Sequence, residues 1–226
     1  MITGIRHHPI VFLRTNPCAT LLFAQLLGVL IYPFLEGSAA GRAVIAVFGL
    51  VVLGLALLAV RQTPTLTWVG VVLAMPSVVL LLVQMFTDNE DLAPYSSAFE
   101  AALYFYAAFS LLRYMLADDK VTTDELFAVG AVFTVIAWAF AHLYVVVQAI
   151  YPESFIAFEN PKDPRTWSDL LFLSFTTLSS TGLSDILPVK PHARSVVMFE
   201  QVAGVFYLAM VVTRLIGLSA MRKQQR

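Results

Sequence analysis

The chain alternates long apolar runs with short polar stretches. Six runs contain at most one charged residue each, and they are residues 15–35, 43–60, 62–87, 92–112, 126–152 and 195–213. Because a bilayer core about 30 Å thick needs roughly 20 apolar residues in a helix, each run can cross a membrane. A seventh run, 170–184, is too short to cross and lies between the fifth and sixth. The pattern predicts an all-α membrane protein with six transmembrane helices and a re-entrant segment between helices five and six.

Composition agrees with this pattern and excludes several classes of protein. Of the 226 residues, 59% are apolar and 13% are charged, against roughly 25% charged in soluble domains. The 14 basic and 15 acidic residues nearly cancel, so we expect no basic face for nucleic acid. The single cysteine, Cys18, excludes a disulfide framework and a zinc cage. We expect no cofactor, and membrane lipids as partners.

The polar stretch after the fourth run divides the chain into two parts. Residues 1–117 form a predicted four-helix bundle, and 118–226 hold the fifth run, the short segment and the sixth run. Thr122 or Thr123 can cap the fifth helix, and Thr166 or Ser168 can cap a short helix that ends near Leu178. The chain therefore predicts two units, a peripheral bundle and a helix–half-span–helix unit.

Basic residues indicate the orientation of the helices. Nine of the 14 Lys and Arg residues lie in flanks on the same side as the N-terminus, and such residues translocate poorly. This bias predicts an integral plasma membrane protein with both termini in the cytoplasm. Arg113 is a single basic residue at the end of the fourth run, whereas a voltage sensor needs several. We therefore expect a bundle that does not sense voltage, with Arg113 as an interface anchor.

The candidate functional residues lie in the short apolar run, 170–184. Non-helical backbone at membrane depth exposes unpaired N–H and C=O groups, so it persists only where it is buried in protein or lines water. A short apolar helix followed by a Ser/Thr/Gly loop fits the second case, because backbone carbonyls can replace the hydration shell of a cation. The glycine in this loop can also adopt a positive φ angle, which other residues rarely do.

The residues of this loop resemble a known family. Residues 174–189 read S-F-T-T-L-S-S-T-G-L-S-D-I-L-P-V and resemble the pore loop of tetrameric potassium channels, in particular bacterial members with two pore-domain helices, whose pattern reads S-F-x-T-L-T-T-L-G-Y-G-D-I-x-P-V. The likeness covers roughly residues 122–219. It implies a homotetramer in a bacterial inner membrane that conducts cations passively and is not an enzyme.

The resemblance also implies site residues. The family's T-V-G-Y-G-D filter falls on residues 180–185. The implied ion-binding residues are Ser180, Thr181, Gly182, Leu183 and Ser184, with permeating potassium at the first four. Thr177, Asp185 and Glu200 would support the filter, and Gly204 takes the place of the hinge glycine, where close helix packing is an equal alternative.

This loop departs from the family pattern at two positions. Leu183 replaces the tyrosine that braces the filter, and Ser184 replaces a glycine expected at positive φ, where serine costs about 1 kcal/mol. Cation permeation tolerates these changes better than strict potassium selectivity does, so sodium is a second expected permeant ion. A similar single-glycine loop occurs in bacterial potassium uptake transporters, which are less selective.

Other functions remain open on the sequence. A non-conducting or regulatory subunit fits the altered filter. A secondary transporter should show paired broken helices, and the sequence has one broken segment. A serine hydrolase would use Ser184 and His142. For the charged residues inside spans, we expect Glu100 to pair or snorkel and His142 to be neutral and hydrogen-bonded between helices.

Overall fold

The computed structural model describes residues 16–35, 39–61, 67–87, 90–116 and 123–224. The helices are α1 (Pro17–Leu35), α2 (Ala39–Arg61), α3 (Thr67–Thr87), α4 (Ala93–Met115), α5 (Thr123–Ile150), α6 (Trp167–Leu178) and α7 (Pro191–Gln224). A 3-10 turn, Glu90–Leu92, precedes α4. Two short strands, β1 (Phe155–Ile156) and β2 (Leu187–Pro188), pair antiparallel and bring the two ends of the α5–α7 connection together.

The six long helices coincide with the six apolar runs, and α6 coincides with the short run. Four described helices are long and apolar enough to cross a membrane, over Pro17–Leu35, Thr67–Gln84, Leu126–Ile150 and Pro191–Arg214. Helix α2 contributes a shorter apolar stretch, Val47–Val60. The all-helical membrane fold is thus confirmed with four candidate spans, while crossing by α2 and α4 stays a prediction. Of the two possible caps of α5, Thr123 is the first residue of the helix, and Thr122 lies outside the described residues.

Helix α5 is the centre of the fold. It packs against α1, α4, α6 and α7, and 67% of its apolar stretch is buried, against 28% of that of α7. Small residues allow this close packing, since Ala128, Ala131, Ala137 and Ala141 are all buried on α5. The peripheral bundle and the helices that carry α6 therefore share one core.

Candidate functional site

The start of α6 is fixed by a reciprocal pair of hydrogen bonds. Thr166 is the N-cap, and its side-chain oxygen accepts a hydrogen bond from the Asp169 N–H at 3.2 Å. Asp169 Oδ2 accepts one from the Thr166 N–H at 3.0 Å. This capping box satisfies N–H groups that a helix start leaves unpaired, and it puts a carboxylate at the positive end of the helix dipole. Of the two caps that the sequence allows, the structure has Thr166.

Gln148 on α5 holds the chain immediately before this cap. Its Nε2 donates to the Arg165 carbonyl at 3.0 Å, and its Oε1 accepts from the Arg165 N–H at 2.8 Å. The Arg165 guanidinium donates in turn to the backbone carbonyls of Asn160 and Asp163, each at 2.6 Å. The entry to α6 is therefore fastened to α5 through backbone groups.

The end of α6 is a Schellman motif with serine in the place that glycine usually takes. The Ser180 N–H donates to the Thr177 carbonyl and the Thr181 N–H to the Thr176 carbonyl, both at 3.0 Å. Ser180 has φ 61°, the left-handed conformation that this motif requires. The Thr177 side chain is buried. Thr177 thus holds the first residue of the loop through its carbonyl.

The same hydrogen bonds orient the peptide units of the loop. The N–H groups of Thr181 and Gly182 both donate to the Thr176 carbonyl at 3.0 Å. In a trans peptide the N–H and the carbonyl of the preceding residue point in opposite directions, and the described chain has no cis peptide bond. The carbonyls of Ser180 and Thr181 therefore point away from the end of α6. Both residues are exposed.

The outer half of the loop differs from the sequence-based expectation. Gly182 has φ 65°, as expected, but Ser184 is not among the residues with positive φ, and the strained serine is Ser180. The Ser184 hydroxyl instead accepts a hydrogen bond from the Ile186 N–H at 3.0 Å, which gives Ser184 a local role without the expected strain. Leu183 is 78% exposed. Asp185 is exposed and makes no hydrogen bond within the described residues, so its supporting role stays a prediction.

Glu200 joins three helices in the core. It lies on α7, is fully buried, and accepts hydrogen bonds from the Tyr144 hydroxyl of α5 and the Ser174 hydroxyl of α6. Ser174 Oγ also lies 2.9 Å from the Ala137 carbonyl of α5. A buried carboxylate persists when hydrogen bonds satisfy its oxygens. Glu200 is thus positioned to hold α6 between α5 and α7, away from the loop itself.

Gly204 lies where α7 touches the last residue of α6. A Cβ atom built on Gly204 would lie 2.9 Å from the carbonyl carbon of Leu178 and 3.0 Å from its Cα, and closer still to its oxygen. No side chain fits at this point without moving backbone. Helix α7 continues through Gly204 without interruption. Close packing therefore explains this glycine, and the hinge role stays a prediction.

Two residues that position the site were not singled out in the sequence. Tyr144 and Gln148 lie one turn apart on α5, and both point their polar atoms at the α6 region. The available signal was their polarity inside an otherwise apolar run. Their partners follow at distant positions of the chain, so the sequence alone did not pair them.

The buried histidine of α5 pairs with the buried glutamate of α4. His142 Nδ1 lies 2.9 Å from Glu100 Oε2 and 3.4 Å from Ser97 Oγ. The expected hydrogen bonding of His142 between helices is confirmed. The described residues contain no hydrogen bond between His142 and Ser184, so a hydrolytic pair gains no support. Arg113 is exposed, with its guanidinium carbon 6.0 Å from the centre of the Phe109 ring.

Comparison with known proteins bears on the same region. No significant match was found among curated proteins or among solved structures. Residues 130–219 match a family model described as "Ion channel". The matched range begins in α5 and ends in α7, and it includes α6 and the loop that follows. Residues 130–219 of this helical membrane protein are thus similar to ion channels.

Proposed function

We propose that the protein is a cation channel, permeable to potassium, that conducts ions passively through a central pore formed by four copies of the chain. The observation that carries the proposal is the loop after α6, where the carbonyls of Ser180 and Thr181 point away from the helix in exposed residues. Oxygen ligands of this kind replace the hydration shell of an alkali cation. The loop lies inside the ion channel match.

In this proposal the pore is made by four copies of the chain, the number in the channels that the loop resembles. One loop cannot surround an ion, so several copies must contribute carbonyls to the same axis. Helix α7 offers a surface for such contacts, because Phe199, Val202 and Phe206 lie on one face and are each more than half exposed. In this proposal residues 118–226 form the pore domain. Residues 1–117 form the peripheral bundle, and all six long helices cross a bacterial inner membrane with both termini in the cytoplasm.

The filter residues in this proposal are Ser180, Thr181, Gly182, Leu183 and Ser184. Potassium binds along the first four, and the absence of a packed aromatic ring at Leu183 favours relaxed selectivity, with sodium also admitted. Glu200 and Thr177 hold the pore helix and the loop, as their hydrogen bonds support. The chain acts without a cofactor and without enzymatic chemistry.

A non-conducting subunit is the second candidate. Its support is the Schellman motif at Ser180, which uses the carbonyls of Thr176 and Thr177 to close the helix end. Leu183 is exposed and lacks the aromatic ring that braces the filter in the family. Together, these two features fit a loop that keeps its conformation without bound ions. A secondary transporter is less favoured, because the described chain has one short interrupted segment, between α5 and α7.

The reversal potential of purified protein in planar bilayers, with potassium on one side and sodium on the other, tests the proposal. A potassium-favouring reversal supports a selective channel, and a reversal near zero supports a non-selective cation channel. The absence of current favours the silent subunit. Gly182→Ala should abolish the current without preventing assembly, because Gly182 has φ 65° and open space around it. Gly54→Ala, also in open space, is the matched control and should conduct normally.

A further inference from the structure

A cavity of about 350 Å³ lies within the bundle, separate from the loop after α6. Its wall is formed by helices α1 to α5 at the end of the bundle where α1 and α3 end and α4 begins. Trp167, the first residue of α6, closes one side. The lining is mostly apolar, so the few polar groups in it determine what the cavity can bind.

The charged group in the wall is Glu100. It is 6% exposed, and its Oε2 lies 2.9 Å from His142 Nδ1. Its other oxygen, Oε1, accepts no hydrogen bond from the described residues. Among the described residues, those that line the cavity include no lysine or arginine, and they do include His142, the partner of Glu100. His142 satisfies one oxygen of the Glu100 carboxylate, so a positively charged guest can pair with the other oxygen, whereas an anion would be repelled.

Aromatic rings surround the same space. Tyr32, Tyr104, Trp138 and Trp167 line the cavity, with ring centres 5.5 Å apart for Tyr32 and Trp167 and 5.0 Å apart for Trp138 and Trp167. Ring faces attract organic cations through the ring quadrupole, most strongly when the cation is desolvated. The indole N–H groups of Trp138 and Trp167 are buried and have no hydrogen-bond partner among the described residues. A guest with an acceptor oxygen could satisfy one of them.

The volume of the cavity indicates which kind of cation it can hold. A volume of about 350 Å³ is too large for a single metal ion. The described residues also contain no group of three or more His, Cys, Asp or Glu side chains that could hold one. A small organic cation with several heavy atoms matches both the volume and the lining.

We propose that this cavity binds a small organic cation of the trimethylammonium class, with Glu100 as the counter-charge and the rings of Tyr104, Trp138 and Trp167 as its walls. The bound cation would contact Trp167, the first residue of α6. The site is separate from the loop after α6, because none of residues 180–185 lines it.

Equilibrium binding of choline to the purified full chain tests this proposal. The matched neutral probe is 3,3-dimethylbutan-1-ol, which has the same shape with carbon in place of the charged nitrogen. We expect choline to bind and the alcohol to bind at least about tenfold more weakly, since the alcohol loses the charge and cation–π attraction. Glu100→Gln should weaken choline binding by a similar factor. Equal binding of the two probes, no binding of choline, or an unchanged Glu100→Gln variant would overturn the proposal.

A second pair of variants covers the case in which Glu100→Gln does not fold. Gly49 lines the cavity, and a Cβ built on it meets nothing within 4 Å, so Gly49→Leu fills the space. Gly54, on the same helix, is equally open and does not line the cavity. Gly49→Leu should abolish choline binding and Gly54→Leu should retain it. Choline binding that survives in Gly49→Leu would place the probe elsewhere and refute the site.

Discussion

Replacing Gly204 by alanine tests the contact between α7 and the end of α6. The added Cβ would lie 2.9 Å from the Leu178 carbonyl carbon, where ordinary contacts begin about half an ångström further away. The obstacle is backbone and cannot rotate aside. Overpacking of this kind costs about 1–3 kcal/mol, and the better helix propensity of alanine offsets roughly 0.5–1 kcal/mol of that cost. We expect a net loss of about 1–2 kcal/mol.

Thermal unfolding of the purified protein, followed by size-exclusion chromatography after heating, measures this loss. For a chain of this size, about 1 kcal/mol lowers Tm by about 2–4 °C, so Gly204→Ala should lower Tm by roughly 2–8 °C. Gly54→Ala is the control, because its Cβ meets nothing within 4 Å, and it should unfold at the same temperature or slightly higher.

The result that refutes the packing argument is a Gly204→Ala protein as stable as Gly54→Ala. If such a protein also changed its opening in bilayers, the hinge role of Gly204 would be supported instead. A lower Tm with normal helix content supports close packing as the reason for this glycine.

Three further predictions concern the ends and the support of α6. Ser180→Gly should raise stability by about 1 kcal/mol, because glycine takes φ 61° without the cost of a side chain. Tyr144→Phe should lower stability by about 1.5–3 kcal/mol, because it removes a hydrogen bond to the Glu200 carboxylate. Thr166→Ala should cost about 1 kcal/mol, because it removes the side-chain acceptor for the Asp169 N–H. Thermal unfolding checks all three.

Each of these has a matched control. Ser184→Gly should not stabilise the protein, because Ser184 is not at positive φ, and equal gains at both serines would contradict the assignment of strain to Ser180. Tyr95→Phe, at an exposed position, should be neutral, and a loss as large as that of Tyr144→Phe would argue against the Glu200 bond. Thr166→Ser keeps a hydroxyl cap and should retain most of the stability.

The helices could be predicted from the sequence because their signals are local. An apolar run bounded by polar residues specifies a helix wherever it is placed, and the runs coincide with α1 to α5 and α7. The short α6 could also be predicted, since Thr166 lies three residues before Asp169 and forms a capping box with it. The loop after it was identified from its Ser, Thr and Gly residues together with the resemblance to channel pore loops.

The conformation of that loop was predicted less well. The sequence placed the strained serine at position 184 by analogy with a glycine, whereas the structure has it at Ser180. The reason is that the left-handed position belongs to the Schellman motif that closes α6 after Leu178, whereas the analogy with the family's glycine considered only the filter. For the same reason the family pattern alone could not orient the carbonyls of Ser180 and Thr181.

The sequence by itself determined that this is a helical membrane protein with a short helix and an ion channel-like loop between its last two long helices. Only the tertiary structure decided which distant residues meet. Tyr144 and Glu200 are 56 positions apart, and Glu100 meets His142 across two helices. Apolar length and capping act over a few residues, whereas a buried carboxylate is tolerated only by partners that packing brings to it. Packing of α5 against its neighbours therefore fixed the support of α6, the glycine at position 204 and the cavity beside Glu100.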